Sequence, residues 1–272
     1  MSIPKMSDAP RLAGKRAIIY AASGAIGKAI ALAFASEGAK VFLTGRNLAK
    51  VRQVAEEIAA FGGDAQAAEV DALDSQAVEH HFSTVVTSAG RVDISFNAIS
   101  IPQEGIQSIA LAELSVDSFM RPLTHYFQSQ FITTRSAARH MVIQKSGVIL
   151  MHTPEPARLG APLVGGMGPA WAAIEGLSRA LSAEVAAHGV RAVCLRTTGI
   201  PETGTIELVF GLHAKAYGMT REQFQALMES RTHRQRSTTL QELAQVAAFV
   251  ASDQAAAMTG TVVNLTGGAI VD

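Results

Sequence analysis

A run of small residues follows the first apolar stretch of the chain, and its composition suits phosphate binding. It begins at Ala21 and ends at Gly27, with Ser23, Gly24 and Ile26 between them. In a turn from strand to helix, small side chains let a pyrophosphate approach the backbone N–H groups and the helix dipole. The strict G-x-G-x-x-G pattern is absent, and such a turn also permits plain packing of helix on strand. The segment therefore indicates either a nucleotide site or a close helix–strand contact.

A histidine and a glutamate follow the apolar run at residues 148–151. His152 would lie at the carboxyl end of a strand, where open parallel sheets bind ligands, and an imidazole there could donate a proton. The alternative is a buried histidine that is hydrogen-bonded to the backbone. Glu155 lies between Pro154 and Pro156, and we expect an exposed carboxylate in this turn.

The remaining reactive side chains give weaker signals. Basic residues are concentrated at 231–236, which predicts a solvated surface, with recognition of an anionic group on a substrate or cofactor as the alternative. Cys194 lies within an apolar run and is expected to be a buried, inert thiol. No spacing of histidine, cysteine or acidic residues suggests a metal site.

These residues must be positioned by alternating strands and helices. Apolar runs that predict strands occupy residues 15–20, 41–44, 65–70, 92–96, 148–151, 191–195 and 261–265. Helical patterns occupy residues 26–37, 48–61, 76–89, 118–144 and 170–187, and a capping box at 239–242 opens a last helix that ends near residue 251.

This alternation predicts an α/β fold of the Rossmann type. The strands are almost uninterrupted apolar runs, as expected for a doubly wound parallel sheet with helices on both faces. We find no linker or repeat that divides residues 1–272, so we predict a single domain. Residues 203–237 break the alternation and contain a second capping box at 220–223, which predicts helices outside the sheet.

The composition restricts the class of protein and its partners. In 272 residues there are 23 basic and 23 acidic side chains, so the net charge is zero. This balance gives no electrostatic reason to expect nucleic acid or a membrane as a partner. The single cysteine excludes a disulfide framework, and the first ten residues lack the apolar core of a secretory signal. We therefore expect a globular cytoplasmic protein.

The chain resembles the short-chain dehydrogenase/reductase family. The segments that carry this resemblance lie at residues 21–27, 44–46, 70–71, 92–98, 172–177, 188–191, 258–260 and 266–268. The resemblance implies a seven-stranded parallel sheet, a small-molecule substrate, NAD or NADP as cofactor, and a homo-oligomer that is commonly a tetramer. It also implies that residues 203–237 form the variable substrate lid.

Three further residues acquire cofactor roles from this resemblance. Arg46 follows the second strand, near the position of the adenosine ribose, where an arginine would pair with a 2′-phosphate and favour NADP over NAD. A solvated arginine at a helix entry is the alternative. Asp71 matches the family's adenine contact, or is only a turn residue, and Asn97 matches the contact near the adenosine ribose.

The residues that perform the family's chemistry differ here. The family uses an asparagine, a serine, and a tyrosine followed four residues later by a lysine; the matching positions hold Tyr126, Pro154, Met167 and Trp171. A thioether transfers no proton and an indole N–H only donates a hydrogen bond, so the usual mechanism is excluded if the alignment is gapless. Tyr126, which would either face the cleft or pack in the core, and His152 are then the remaining candidate proton donors.

We therefore expect a divergent short-chain oxidoreductase that transfers hydride between NADP(H) and a small organic substrate with a non-standard proton source. The alternative is a protein of this fold with an altered activity, either a ligand-binding pseudo-enzyme or a non-redox enzyme. The fold alone does not decide between them, because function depends on the site.

Overall fold

The computed structural model describes residues 10–271, and a parallel β-sheet forms the centre of this part of the chain. Its seven strands have the spatial order β3-β2-β1-β4-β5-β6-β7. They are β1 (Arg16–Tyr20), β2 (Lys40–Gly45), β3 (Asp64–Glu69), β4 (Ile94–Asn97), β5 (Gly147–Pro154), β6 (Val190–Thr197) and β7 (Val262–Leu265). The predicted doubly wound, Rossmann-type sheet is confirmed.

Helices connect the strands and cover the sheet. They are α1 (Ala25–Ser36), α2 (Leu48–Ala60), α3 (Ser75–Ala89), α4 (Val116–Arg121), α5 (Gln128–Gln144), α6 (Met167–Val185), α7 (Gly204–Ala216), α8 (Arg221–Ser230) and α9 (Leu240–Ala251). Both predicted capping boxes are present, at the starts of α8 and α9. No helix in residues 10–271 is long and apolar enough to cross a membrane.

Strand β1 lies where the strand order reverses. Its Ala17 is paired with Val41 of β2 on one side and with Ile94 of β4 on the other. The loops that leave β1 and β4 therefore separate to opposite sides of the sheet, which opens a crevice at the carboxyl ends of the two strands.

The two faces of the sheet hold separate apolar cores. Along β1, Ile19 packs into the core beneath α1 and α9, whereas Ile18 and Tyr20 pack into the core on the opposite face. Side chains of a strand alternate between faces, so one apolar run supplies both cores. This explains why residues 17–20 of β1 form an uninterrupted apolar run instead of alternating with polar residues.

The segment predicted as one long helix at 118–144 is interrupted. Between α4 and α5, residues Pro122–Phe127 form a π-helical turn, in which Tyr126 is buried. A π-turn places an extra residue in the helix and changes the direction in which neighbouring side chains point. It gives Tyr126 a position that a regular helix would not.

Candidate active site

A cavity of about 420 Å³ opens at the carboxyl ends of the strands. It extends from the turn after β1, where Gly24 and Ile26 line it, to the helices of the 203–237 segment, where Phe210 and Arg231 line it. His152, near the end of β5, also lines this cavity. One space therefore connects the predicted phosphate turn with the predicted lid.

The turn between β1 and α1 has the geometry of an anion cradle. Gly24 is the N-cap of α1 and no described side chain caps the helix there, so its first N–H groups remain available to a ligand. Gly27 has no room for a side chain, since a Cβ would lie 2.5 Å from the Ala21 carbonyl oxygen. Ala21 itself has a φ of 55°, a left-handed conformation that favours glycine. These features fit a pyrophosphate, while the Ala21 methyl group is a departure that costs backbone strain.

The other predicted cofactor residues lie around this turn. Arg46 is exposed and directly follows β2, and Ser23 is exposed in the turn itself. Asp71 is half-buried, and its Oδ1 accepts a hydrogen bond of 3.0 Å from the backbone N–H of Leu73. This bond uses one carboxylate oxygen of Asp71 for the local turn.

Asn97 lines the cavity, but its side chain is engaged in the fold. Its Nδ2 donates to the Thr133 hydroxyl at 3.0 Å, and its Oδ1 accepts from the Ile99 N–H at 2.9 Å. The first bond connects β4 to α5, and the second fixes the turn that follows β4. The Asn97 carbonyl oxygen also accepts from Gln130 Nε2 at 3.1 Å, so both its side chain and its backbone already bind α5.

His152 is buried, which agrees with the second of its two predicted interpretations. Its hydrogen-bond partner, however, is a side chain and not the backbone. Its Nε2 lies 2.9 Å from the Thr197 hydroxyl. Burial lowers the pKa of His152 to about 4. The imidazole is therefore neutral at pH 7 and a poor source of protons there.

Tyr126 and Trp171 meet at the cavity wall. Burial raises the pKa of Tyr126 to about 12, and the neighbouring Trp171 side chain opposes this shift only in part. Met167 begins α6 one turn before Trp171, and both side chains are buried and line the cavity. The structure thus brings the predicted Tyr126, Met167 and Trp171 together with His152 and Pro154.

The expected exposure of Glu155 is wrong. Predicted to be exposed, it has only 8% of its surface accessible and lines the cavity directly after β5. Burial raises the pKa of its carboxyl to about 7, against the opposing effects of the backbone N–H groups of Glu155 and Gly199 and the charge of Arg231. Its Oε2 has no hydrogen-bond partner among the described residues.

The basic run at 231–236 divides into two parts. Arg234 and Arg236 both form ion pairs with Glu242, at 2.7 and 2.6 Å. Arg231 instead faces the cavity. The solvated-surface interpretation fits the two paired arginines, and the anion-recognition interpretation remains for Arg231.

Cys194 is buried, as predicted, and burial raises the pKa of its thiol to about 12. Within residues 10–271 we find no cluster of three or more histidine, cysteine or acidic side chains that could hold a metal ion.

Comparison with known proteins identifies the family. Residues 21–269 match the family model described as enoyl-(acyl carrier protein) reductase. The chain belongs to the short-chain dehydrogenase/reductase family. The predicted resemblance is confirmed at this level, as is the expectation of an oxidoreductase of the short-chain dehydrogenase/reductase type.

Full-length relatives of this family are found among both sequences and structures. The chain is 30% identical to an uncharacterized oxidoreductase of Thermotoga maritima and 27% identical to the 3-oxoacyl-(acyl-carrier-protein) reductase FabG of Chlamydia pneumoniae; each match covers 94% of this chain and 97% of the relative. A short-chain type dehydrogenase/reductase from Mycobacterium marinum has 28% identity and a TM-score of 0.83, over 97% of this chain and 99% of that one.

Proposed function

We propose that residues 1–272 form one short-chain oxidoreductase domain that transfers hydride between NADP(H) and a small organic substrate. The proton source differs from the tyrosine–lysine pair of the family. Residues 203–237 close over the substrate as a lid. The observation that carries this proposal is the cavity that joins the turn after β1 to α7 and α8, since such a space can hold the nicotinamide end of a dinucleotide together with an acceptor.

The cofactor would be held at the carboxyl edge of the sheet. The residues assigned to it are Ala21, Ser23, Gly24, Ile26, Gly27, Arg46, Asp71 and Asn97. Exposure of the Arg46 guanidinium directly after β2 supports NADP, because a bidentate cation suits a 2′-phosphate and an acidic residue would suit a 2′-hydroxyl. When bound, the nicotinamide supplies or accepts a hydride.

The lack of the family's usual proton donor restricts the class of substrate. Pro154, Met167 and Trp171, at the family's catalytic positions, have no proton to transfer. A ketone needs a proton on the developing alkoxide, and general acid catalysis of this kind is typically worth about 10²–10⁴-fold. We therefore propose an acceptor that needs less acid assistance, such as an iminium or a conjugated double bond.

The first experiment tests the cofactor. Arg46→Ala should weaken NADPH binding by roughly tenfold or more and leave NADH binding unchanged, because only NADPH carries the 2′-phosphate. Both cofactors are titrated by intrinsic fluorescence. Arg52 is an exposed residue of α2. Arg52→Ala removes the same charge there and should change the affinity for neither NADPH nor NADH. Equal affinities for both cofactors, or no loss in Arg46→Ala, would contradict the preference for NADP.

The second experiment tests the reaction. NADPH consumption is followed with a panel of ketones, aldehydes, imines and enones, for the wild-type protein and for Tyr126→Phe and His152→Ala. We expect turnover of imines or enones and none of ordinary ketones. Rapid ketone reduction would show that another acid serves or that the alignment is shifted. Binding of NADPH without turnover of any acceptor would favour the non-redox alternative.

A further inference from the structure

We infer that Glu155 is the catalytic acid of this cavity and gives its proton to the acceptor during reduction. This inference rests on the proposed function, since it concerns the same site. It starts from position: Glu155 directly follows β5, and the cavity that it lines also contains Tyr126, His152 and Trp171. A carboxyl at this place can reach a ligand held between the sheet and the lid.

The second observation is that Glu155 is buried although one of its carboxyl oxygens has no hydrogen-bond partner among the described residues. Glu155 is 92% buried, and its Oε2 lacks a hydrogen-bond partner in the part of the chain that the structure describes. A buried polar atom in this condition costs free energy, and such atoms are rare unless a ligand or function accounts for them. An acceptor atom that shares or receives the carboxyl proton would satisfy Oε2.

The other cavity donors are less suited to this role. The Tyr126 hydroxyl holds its proton too firmly, since burial raises its pKa to about 12. His152 is already neutral at pH 7, and its Nε2 is engaged with Thr197. Glu155 has a pKa of about 7, which lets its carboxyl hold a proton in the resting state and release it at neutral pH.

The charges around Glu155 fit a neutral acid. The titratable or charged side chains that line the cavity with it are His152 from β5, Tyr126 from the π-helical turn, His213 and Tyr217 from α7, and Arg231 after α8. Burial keeps His152 neutral and also lowers the pKa of His213. Arg231 is the cation whose charge opposes the burial of Glu155, and it would stabilise the carboxylate after proton transfer.

The step balances as a reduction. In a neutral conjugated acceptor, hydride adds to one carbon and the displaced π-electron pair moves to another atom of the conjugated system; an iminium would need no proton at this step. In the conjugated acceptor, the atom that receives the electron pair forms a bond to the Glu155 proton as the carboxyl O–H bond breaks. The resulting carboxylate takes a proton from water before the next turnover, so the reaction consumes one NADPH and one proton.

The first test needs no cofactor. Glu155→Gln keeps the shape of the side chain and cannot ionise. Above its ordinary pKa of 4.5, Glu155 ionises more readily in the unfolded state, so wild-type stability relative to the variant should fall as pH rises to about 7. We expect the ratio of the two unfolding constants, measured in urea, to change on the order of 10²-fold between pH 4 and pH 8. A ratio that does not depend on pH would overturn a protonated Glu155.

The second test measures the reaction. With a conjugated acceptor that the wild-type protein reduces, Glu155→Gln should lower kcat by about 10²-fold, the low end for general acid catalysis, because such an acceptor needs less acid assistance than a ketone. The variant should leave NADPH affinity unchanged. The wild-type rate should fall above pH 7, whereas the residual rate of the variant should not. Glu113→Gln, which alters an exposed carboxylate before α4, should behave as wild type.

The two proposals fail in different ways. Wild-type turnover that survives Glu155→Gln without loss would overturn the role of Glu155 and leave the proposed function standing. NADPH binding with no turnover of any acceptor would overturn the proposed function and catalysis by Glu155 together, and the urea measurement would still decide whether Glu155 is protonated.

Discussion

Two buried glutamates near the end of β5 have opposite surroundings. Glu175 of α6 forms a bidentate ion pair with Arg196, with both N–O distances at 2.7 Å, and its Oε1 also accepts from Thr153. Glu155 has a carboxylate oxygen without a described partner. A fully paired carboxylate fixes structure, whereas an incompletely paired one is available for a ligand. The pair joins α6 to β6, and so helps to position the wall that carries Met167 and Trp171.

Removal of Glu175 should therefore destabilise the fold. Glu175→Ala would break the buried bidentate pair with Arg196, and removal of one partner of a buried ion pair typically costs about 3–5 kcal/mol. The free energy of unfolding is measured in urea. Glu184→Ala, at an exposed position of the same helix, should change it by less than about 0.5 kcal/mol. Similar values for the two variants would show that the ion pair contributes little.

The burial of Glu155 could not be predicted from its neighbours in the sequence. A turn between Pro154 and Pro156 normally lies at the surface, so local composition predicts exposure. The other side chains of the cavity include Phe210 and Arg231, which lie more than fifty residues further along the chain. The location of His152 was easier to predict than that of Glu155, because ligands bind at the carboxyl ends of parallel strands whichever elements cover them.

At the scale of elements, periodicity predicted each strand and most helices of the sheet. It failed inside the segment 118–144, which it predicted as one helix. Pro122 is acceptable near the start of a helix, and nothing in the pattern of apolar residues marks the π-turn Pro122–Phe127. The turn depends on tertiary packing, and it carries Tyr126 to the cavity wall. Sequence reasoning thus placed Tyr126 near the site by resemblance, and its exact surroundings came only from the structure.

The turn between β1 and α1 provides a test of close packing. Gly27→Ala should destabilise the protein by about 1–3 kcal/mol and abolish NADPH binding, because its Cβ would lie 2.5 Å from the Ala21 oxygen and 2.9 Å from the Ala22 Cα. Gly24→Ala is the matched control for stability, since its Cβ would meet the Ala21 oxygen at 3.4 Å. Urea unfolding should separate the two variants, and equal stabilities would contradict the close contact.

At the scale of the whole molecule, we expect a homo-oligomer, and a tetramer in particular. Phe131 on α5 is 46% exposed, and α6 is rich in alanine, which permits the close approach of a second helix. Exposed apolar surface on such a helix pair favours association.

Light scattering at micromolar concentration tests the assembly. Phe131→Asp should shift the mass toward smaller species, since a buried charge at an interface is costly. Phe61→Asp introduces the same charge at a phenylalanine that is 50% exposed at the end of α2, and it should leave the mass unchanged. A monomeric mass for the wild-type protein would contradict the prediction.

The central place of β1 has a consequence for biosynthesis. β1 is translated first, yet one of its two neighbours, β4, begins at Ile94, which pairs with Ala17. At about 5–20 residues per second, a ribosome takes roughly 4–15 s to supply that partner. During this interval one edge of β1 presents unpaired N–H and C=O groups to other nascent chains. Slow codons between these strands would lengthen the exposure, so the yield of native protein should depend on the translation rate of this interval.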